Sequence, residues 1–475
     1  MKLNLKTIHN IYFLGIGGIG MSALARYFNG ASKKISGYDK TSTKLTDELI
    51  AEGIQVHFDE NVELIKAKIK SENWTKENTL IVYTPAVPKN HSEYVFFNDK
   101  VGFNIKKRAE VLGLITENSH TIAVAGTHGK TTTSSLIAHI LKSSGIDCSA
   151  FLGGITQNYN TNLLLPQQLS TNNHQLTTVV EADEYDRSFL TLHPDIAVIT
   201  SMDADHLDIY GDKKYMDESY HLFSNQLKKG GKLITKKELV NTLKSSNQPI
   251  SYSAKVKADY YAKDISIKNG EYNYTIVTPL ETIEKLTLGI PGFHNVENSV
   301  AAVAVAKQLN ISKDNIRKAL KTFRGVKRRF DYQIKTKDFV FIDDYAHHPE
   351  ELKACIGSVK EMYSDKKITG IFQPHLYTRT RDFADGFAKS LDLLDETILL
   401  EIYPARELPI EGVNSTMLLN KMRSKNKSLC SKAELVKEVC KKKIEVLLTL
   451  GAGDIDTLVE PLRKELMKIH SLHEA

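Results

Sequence analysis

The chain has 475 residues, too many for one ordinary domain and enough for about three. Its hydrophobic share of 41% and charged share of 25% are those of an ordinary globular protein. The formal charge of +6, from 63 basic and 57 acidic residues, is too small an excess for this length to call for nucleic acid. No stretch reaches the roughly 18 uncharged apolar residues of a membrane span, and the start runs straight into a strand without an apolar signal core, so no membrane insertion and a cytoplasmic location are expected. Cys148, Cys355, Cys430 and Cys440 are scattered, without pairing or metal-ligand spacing, and reduced structural thiols are expected.

Taken in order, residues 10–39 read strand, glycine turn, helix, strand, a Rossmann-like opening. The turn, Gly15-Ile16-Gly17-Gly18-Ile19-Gly20, allows a tight bend and close approach of backbone to a phosphate, with Met21 and Ser22 following into the helix. Asp39, ending the second strand, suits a sugar hydroxyl or a nearby polar group. Such a turn serves dinucleotides, mononucleotides and UDP-sugars alike, and the motif does not choose among them. Alternating elements continue to about residue 116, with an apolar strand over 79–84 that Pro85 and Pro88 end and a helix containing Lys106 to Leu114.

The stretch around which the chain is organised comes next, an apolar strand from Thr121 that leads into Gly126-Thr127-His128-Gly129-Lys130-Thr131-Thr132 and a helix. A strand-to-helix turn of small residues leaves the first helical N–H groups pointing at an anion. Lys130 then supplies a mobile charge for terminal phosphates, and the Thr131 hydroxyl is placed to meet a magnesium ion. The strict phosphate-loop spacing is not met, because Val124 stands five before Gly129. Further strands are expected at 177–181 and 195–200, separated by a polar stretch, 157–175, that reads as a loop without chemistry of its own. Carboxylates follow both strands, at Glu181-Ala182-Asp183-Glu184-Tyr185-Asp186 and at Asp203-Ala204-Asp205-His206-Leu207-Asp208. Magnesium bound to ATP needs oxygen ligands there, with Glu181 the first candidate and His206 the second.

Residues 258–290 alternate with turn signals, as antiparallel strands do. A helix begins near Gly292 with His294, Asn295 and Asn298 in its first turns. Three apart, the two asparagines share one side and can read a base or another ligand, although an N-cap accounts for one of them equally well. After Gly325-Val326-Lys327-Arg328-Arg329-Phe330-Asp331 a third α/β segment starts, with strands at 339–344, 367–372, 397–402 and 446–450. Its strand ends carry Asp343 to Pro349, Gln373 to Arg381 and Tyr403 to Arg406, where arginines suit carboxylates or phosphates.

With these residues in hand the chain resembles the Mur ligases of bacterial cell-wall synthesis, over all three parts from Gly15 to Asp454. The segments carrying the resemblance are Gly126–Thr132, His294–Asn298, Asp343–Pro349 and Tyr403–Val413. It implies an α/β, three-domain architecture: a Rossmann-like UDP-sugar domain over 1–117, a central P-loop ATPase-like domain over 118–324 and a Rossmann-like amino-acid-binding domain over 325–475. The partners implied are UDP-N-acetylmuramate and L-alanine, with ATP and Mg2+ as cofactors, in a monomer or weak homodimer. Gly15, Gly17, Gly18, Ile19, Gly20, Met21, Ser22 and Asp39 would then serve UDP. Gly126, Thr127, His128, Gly129, Lys130, Thr131 and Thr132 would hold the ATP phosphates, with Thr131, Glu181 and His206 at the metal. His294, Asn295 and Asn298 would lie near adenine, Arg329 at the γ-phosphate and Asp344 at the ribose, while His348, Arg379 and Arg381 would face substrate carboxylates. The catalytic set so implied is Lys130, Glu181, His206, Arg329 and His348. Tyr185 and Leu376 depart from residues usual in that family, small in the first case and often arginine in the second. The segment 215–223 holds no lysine to be carbamylated, as in other branches, and none is expected.

Without the resemblance, an ATP-dependent ligase competes with a Rossmann oxidoreductase and with a nucleotide-sensing scaffold. Hydride transfer needs neither Lys130 nor magnesium, and a scaffold has no use for the arginine-bearing third part. Within the family, the ligase that recycles a tripeptide is the nearest rival. Folylpolyglutamate synthase would lack the first glycine turn.

Overall fold

In a computed structural model, residues 3–166, 176–205, 207–268, 270–405 and 407–470 are described. They form two compact units, Met1–Tyr260 with Ala301–Ile316, and Tyr261–Val300 with Arg317–Ala475.

The first unit opens with a five-stranded parallel sheet of β1 (Asn10–Leu14), β2 (Lys34–Tyr38), β3 (Gln55–His57), β4 (Thr79–Tyr83) and β5 (Asn104–Lys107), in the order β3-β2-β1-β4-β5. All five residues of β1 are buried, as a continuous apolar run covered by helices on both faces requires. Strand order reverses at β1, which pairs with β2 on one side and β4 on the other, and the glycine turn leaves β1 at that switch point.

The same unit contains β6 (His120–Ala125), β7 (Cys148–Thr156), β8 (Thr161–Leu164), β9 (Thr177–Glu181), β10 (Ile196–Ile199), β11 (Lys232–Lys236) and β12 (Ile250–Ser253). β6 lies between β9 and β10, both parallel to it. The acidic segments that follow β9 and β10 therefore flank the turn that follows β6. The helix Lys130–Ser143 is buried from Thr131 to Leu141. Its first two turns, Thr131 to Ser135, carry only small hydroxyl side chains, which lets it lie close to the sheet. One expectation is corrected here: β8 forms inside the polar stretch 157–175, pairing antiparallel with β7. Residues 167–175 of that stretch lie outside the described residues.

In the second unit, β13 (Tyr260–Lys268), β14 (Glu271–Val277) and β15 (Thr282–Leu288) form the antiparallel ladders that the alternation predicts. A six-stranded sheet follows, with β16 (Asp331–Lys335), β17 (Val340–Asp344), β18 (Ile368–Phe372), β19 (Glu396–Leu399), β20 (Lys427–Leu429) and β21 (Val446–Leu450). Its order is β16-β17-β21-β18-β19-β20, antiparallel only at β16. β21 is inserted between β17 and β18, so the loops after these three strands meet at one end of the sheet. Among the described residues, no helix is long and apolar enough to cross a membrane.

Candidate active site

Two glycines build the turn after β6. Gly126 has φ +133°, and a Cβ there would lie 2.1 Å from Thr200 Oγ1 and 2.8 Å from Ser201 N, so only glycine lets the turn rest on the end of β10. Gly129, at φ +81°, starts the helix Lys130–Ser143 without a side chain to cap it, which leaves N–H groups of the first turn for an anion. The segment after β10 backs the turn: Thr127 Oγ1 donates to Asp203 O at 2.8 Å and His128 N donates to Ser201 Oγ at 2.7 Å. His128 Nε2 lies 3.6 Å from Asp203 Oδ2.

Lys130 Nζ donates to Gly126 O at 2.6 Å and to Glu184 Oε1 at 2.8 Å. Burial by itself lowers the pKa of this ammonium, but the attraction of Glu184, Glu181 and Asp183 and the hydrogen bond to Glu184 outweigh it, and the net shift is upward. Thr131 Oγ1 donates to Glu181 Oε1 at 3.1 Å, and Gly153 N donates to Glu181 Oε2 at 3.0 Å. A Cβ at position 153 would come within 2.3 Å of that oxygen, so glycine is what lets the backbone reach the carboxylate. A hydroxyl beside a carboxylate is a hard oxygen pair that fits magnesium, an ion that takes few protein ligands and keeps phosphates and water as the rest. His206 lies outside the described residues, as does Arg406 in the second unit.

A cleft of about 600 Å³ opens where the glycine turn leaves β1. Gly15, Gly17, Gly18, Ile19, Gly20 and Met21 line it, as do Tyr38 and His91, whose ring centroids are 4.5 Å apart. Arg108, Phe151, Glu181 and Asp183 line it as well. Glu181 thus belongs both to this cleft and to the phosphate turn. Of two further candidates, Asp39 also lines the cleft and Ser22 does not. Asp39 closes the turn itself, accepting from Gly17 N at 2.7 Å and Thr41 N at 3.2 Å, since backbone N–H groups in a tight loop need an acceptor. Ser22 is buried, donating to Ile19 O at 2.9 Å and accepting from Asn162 Nδ2 at 3.0 Å, because helix periodicity turns it away from the cleft.

In the second unit, Asp343 accepts from Arg328 Nε at 3.1 Å and from Thr449 Oγ1 at 2.7 Å. Asp344 accepts from Phe330 N at 2.7 Å and Ala346 N at 2.8 Å, one on each oxygen, so the structure gives this ribose candidate an internal role in holding its own loop. Burial pushes its carboxyl up to about 6, against the lowering effect of Arg329 and the two backbone N–H groups. Arg328 and Arg329 lie over the Tyr345 ring, 5.1 and 4.9 Å from its centroid. His348 caps the helix Pro349–Met362, its Nδ1 accepting from Glu350 N at 3.3 Å. Arg379 and Arg381 lie in different surroundings. Two apart on a helix, they diverge, Arg379 buried with Nη1 3.3 Å from His375 Nδ1 and Arg381 exposed on Asp382 at 2.7 Å. Leu376, just before them, holds φ +69°, a strained value for a bulky residue. Asn295 and Asn298 share one face as expected, but their amides bond internally, to Pro291 O at 2.6 Å and to Asn295 Oδ1 at 3.1 Å.

The sequence carries matches to three models of one family: its catalytic domain over residues 10–120, the Mur ligase middle domain over 124–306 and the Mur ligase glutamate ligase domain over 328–455. The chain belongs to the Mur ligase family. It is 50% identical to the UDP-N-acetylmuramate–L-alanine ligase of Flavobacterium psychrophilum, covering 98% of this chain and 99% of that one. It is also 50% identical to the enzyme of the same name from Parabacteroides distasonis, with the same coverage. Among solved structures it is similar to the UDP-N-acetylmuramate–alanine ligase of Thermotoga maritima, at a TM-score of 0.78 and 28% identity over 97% of this chain and 99% of that one.

Glu184 is 1% exposed and holds Lys130, yet in the sequence it is one carboxylate among several. Arg108 lines the cleft, but it stands in a run of basic residues, Lys106-Lys107-Arg108, that reads as surface. Asn162 is fully buried, donating to Ile19 O at 2.6 Å and Ser22 Oγ at 3.0 Å and accepting from Arg26 Nη1 at 2.7 Å. Only the apolar Leu163-Leu164-Leu165 that follows could have signalled that its stretch is ordered.

Proposed function

We propose that this Mur ligase forms the amide between the lactyl carboxylate of UDP-N-acetylmuramate and L-alanine, driven by ATP, as a step of peptidoglycan precursor synthesis. The observation that carries the reading is the double membership of Glu181, which lines the glycine-turn cleft and also holds Thr131 in the phosphate turn. A sugar nucleotide whose diphosphate lies on the glycine turn extends its sugar toward the acidic residues, and so toward the γ-phosphate on the neighbouring turn.

A carboxylate is a poor electrophile. The lactyl group first takes the γ-phosphoryl group to become an acyl phosphate, and the alanine amine then attacks that carbonyl and expels phosphate. Lys130 exchanges Glu184 for the transferred group, and Arg329 is assigned to the γ-phosphate. Thr131 and Glu181, with His206, would hold Mg2+, which when bound neutralises phosphate charge. His348, Arg379 and Arg381 are assigned to the substrate carboxylates, with buried Arg379 the better preorganised of the two arginines. His294, Asn295, Asn298 and Asp344 are assigned to the adenosine end. The division into 1–117, 118–324 and 325–475 is part of the same reading, as are a cytoplasmic location, where ATP and UDP-sugars are made, and a monomer or weak homodimer.

The test is phosphate release from ATP and magnesium with UDP-N-acetylmuramate present, comparing L-alanine, the L-Ala-γ-D-Glu-diaminopimelate tripeptide and no amine. Stimulation by L-alanine with the matching product mass is expected. Stimulation by the tripeptide alone would replace this reading with a recycling one, and stimulation by neither would leave no ligase of this substrate.

A further inference from the structure

Arg108 opens the helix Arg108–Thr116 directly after β5, and its guanidinium lies over the first turn of the helix Ile19–Gly30. A Cβ built at Gly20 would sit 2.9 Å from Arg108 Nη1 and 3.1 Å from its Cδ. Gly20 is helical, so backbone strain does not call for glycine there, and the nearest thing that a side chain at position 20 would meet is this guanidinium. The ion pair that Arg108 makes is with Asp183, Nη2 to Oδ2 at 3.3 Å, between side chains 21% and 42% exposed. A long pair in partly wetted surroundings contributes little. A guanidinium beside a helix N-terminus, by contrast, offers a planar fork and backbone N–H groups to the same anion, a strong arrangement for a diphosphate.

We propose that Arg108 grips the diphosphate of the UDP-sugar, resting on Asp183 while the cleft is empty and passing to the substrate when it enters. The proposal builds on the reading of this cleft as the UDP-sugar site. It also couples the cleft to the phosphate turn. Asp183 sits in the acidic segment whose Glu184 holds Lys130 and whose Glu181 holds Thr131, and Asp183 itself acts on the Lys130 charge. When Arg108 leaves, the carboxylate of Asp183 is no longer neutralised beside Lys130, so arrival of the sugar nucleotide makes the phosphate turn more negative.

The experiment is calorimetric titration of the full chain with UDP, UDP-N-acetylglucosamine and UDP-N-acetylmuramate, with uridine followed by NMR. Arg108→Met is expected to weaken all three diphosphates by a common factor of about 10 to 100 while leaving uridine unchanged. Gly20→Ala, which places a methyl group where the guanidinium lies but favours the helix, is expected to weaken the same three ligands without lowering the melting temperature. Asp183→Asn removes the resting partner and is expected to tighten UDP by about two- to fivefold. A loss confined to UDP-N-acetylmuramate would assign Arg108 to the lactyl carboxylate and overturn the proposal. So would an equal loss for uridine, which means a collapsed cleft, or no loss at all. Weaker UDP binding in Asp183→Asn would overturn the exchange. If the unaltered protein bound none of the diphosphates, the cleft assignment itself would fail, independently of Arg108.

Discussion

Lys130 and Glu184 form a buried ion pair at 2.8 Å, with Glu184 1% exposed. Breaking such a pair from one side leaves an uncompensated charge, a loss of about 3 kcal/mol. Glu184→Gln is therefore expected to lower the melting temperature, and ATP is expected to restore more of it than ATP adds to the wild type, because phosphates supply the missing anion. Equal nucleotide shifts in the two proteins would show that Lys130 does not move to the phosphates. Asp344 makes a different kind of statement. Burial raises its carboxyl to about 6, above the ~3.9 of an unfolded chain. The folded state holds a proton that the unfolded state releases, so this stabilisation is complete below about pH 4 and is lost as pH rises through about 6. Asp344→Asn does not titrate. The stability difference between wild type and variant should shift in favour of the variant by about 2 kcal/mol from pH 4 to pH 7, read from urea unfolding at each pH. Neither property could be read from the sequence, where Glu184 and Asp344 each stand beside other acidic residues and nothing local says which is buried.

At the scale of elements, both candidate sites form where strand order reverses, after β1 and after β6. The apolar runs and glycines that mark those places are local signals, which is why the strand, turn and helix at each were legible. β8 was not, because a short strand in a polar stretch owes its order to what it packs against. Its Asn162 ties the helix Ile19–Gly30 through partners 136 to 143 residues away. Asn162→Ala removes three hydrogen bonds at a fully buried position and is expected to cost about 1–3 kcal/mol in thermal or urea unfolding. Because that helix begins in the cleft, UDP binding should weaken several-fold as well, and unchanged UDP affinity would show that Asn162 braces the fold without positioning the cleft.

On the scale of the whole molecule, the glycine-turn cleft and the phosphate turn share one compact unit, and the proposed reading gives them different ligands. Lys130→Ala should reduce turnover by about 10²–10³-fold while UDP affinity changes by no more than about twofold, because Lys130 reaches the cleft only through its effect on Asp183. At a free UDP concentration of about 100 Kd, wild type and variant should gain the same ~2.7 kcal/mol in calorimetric unfolding. A matching fall in UDP affinity would mean that the two sites are not separable. By itself the sequence determined the α/β character, because periodic apolar runs and a glycine turn before a helix act through neighbours in the chain, and its motifs carried the resemblance that implied the three Mur ligase parts and the kind of chemistry. Tertiary structure alone decided which charges meet. Arg108 and Asp183 are 75 residues apart and Lys130 and Glu184 are 54 apart. Contacts at that separation depend on the order in which strands pair, and no local pattern records it.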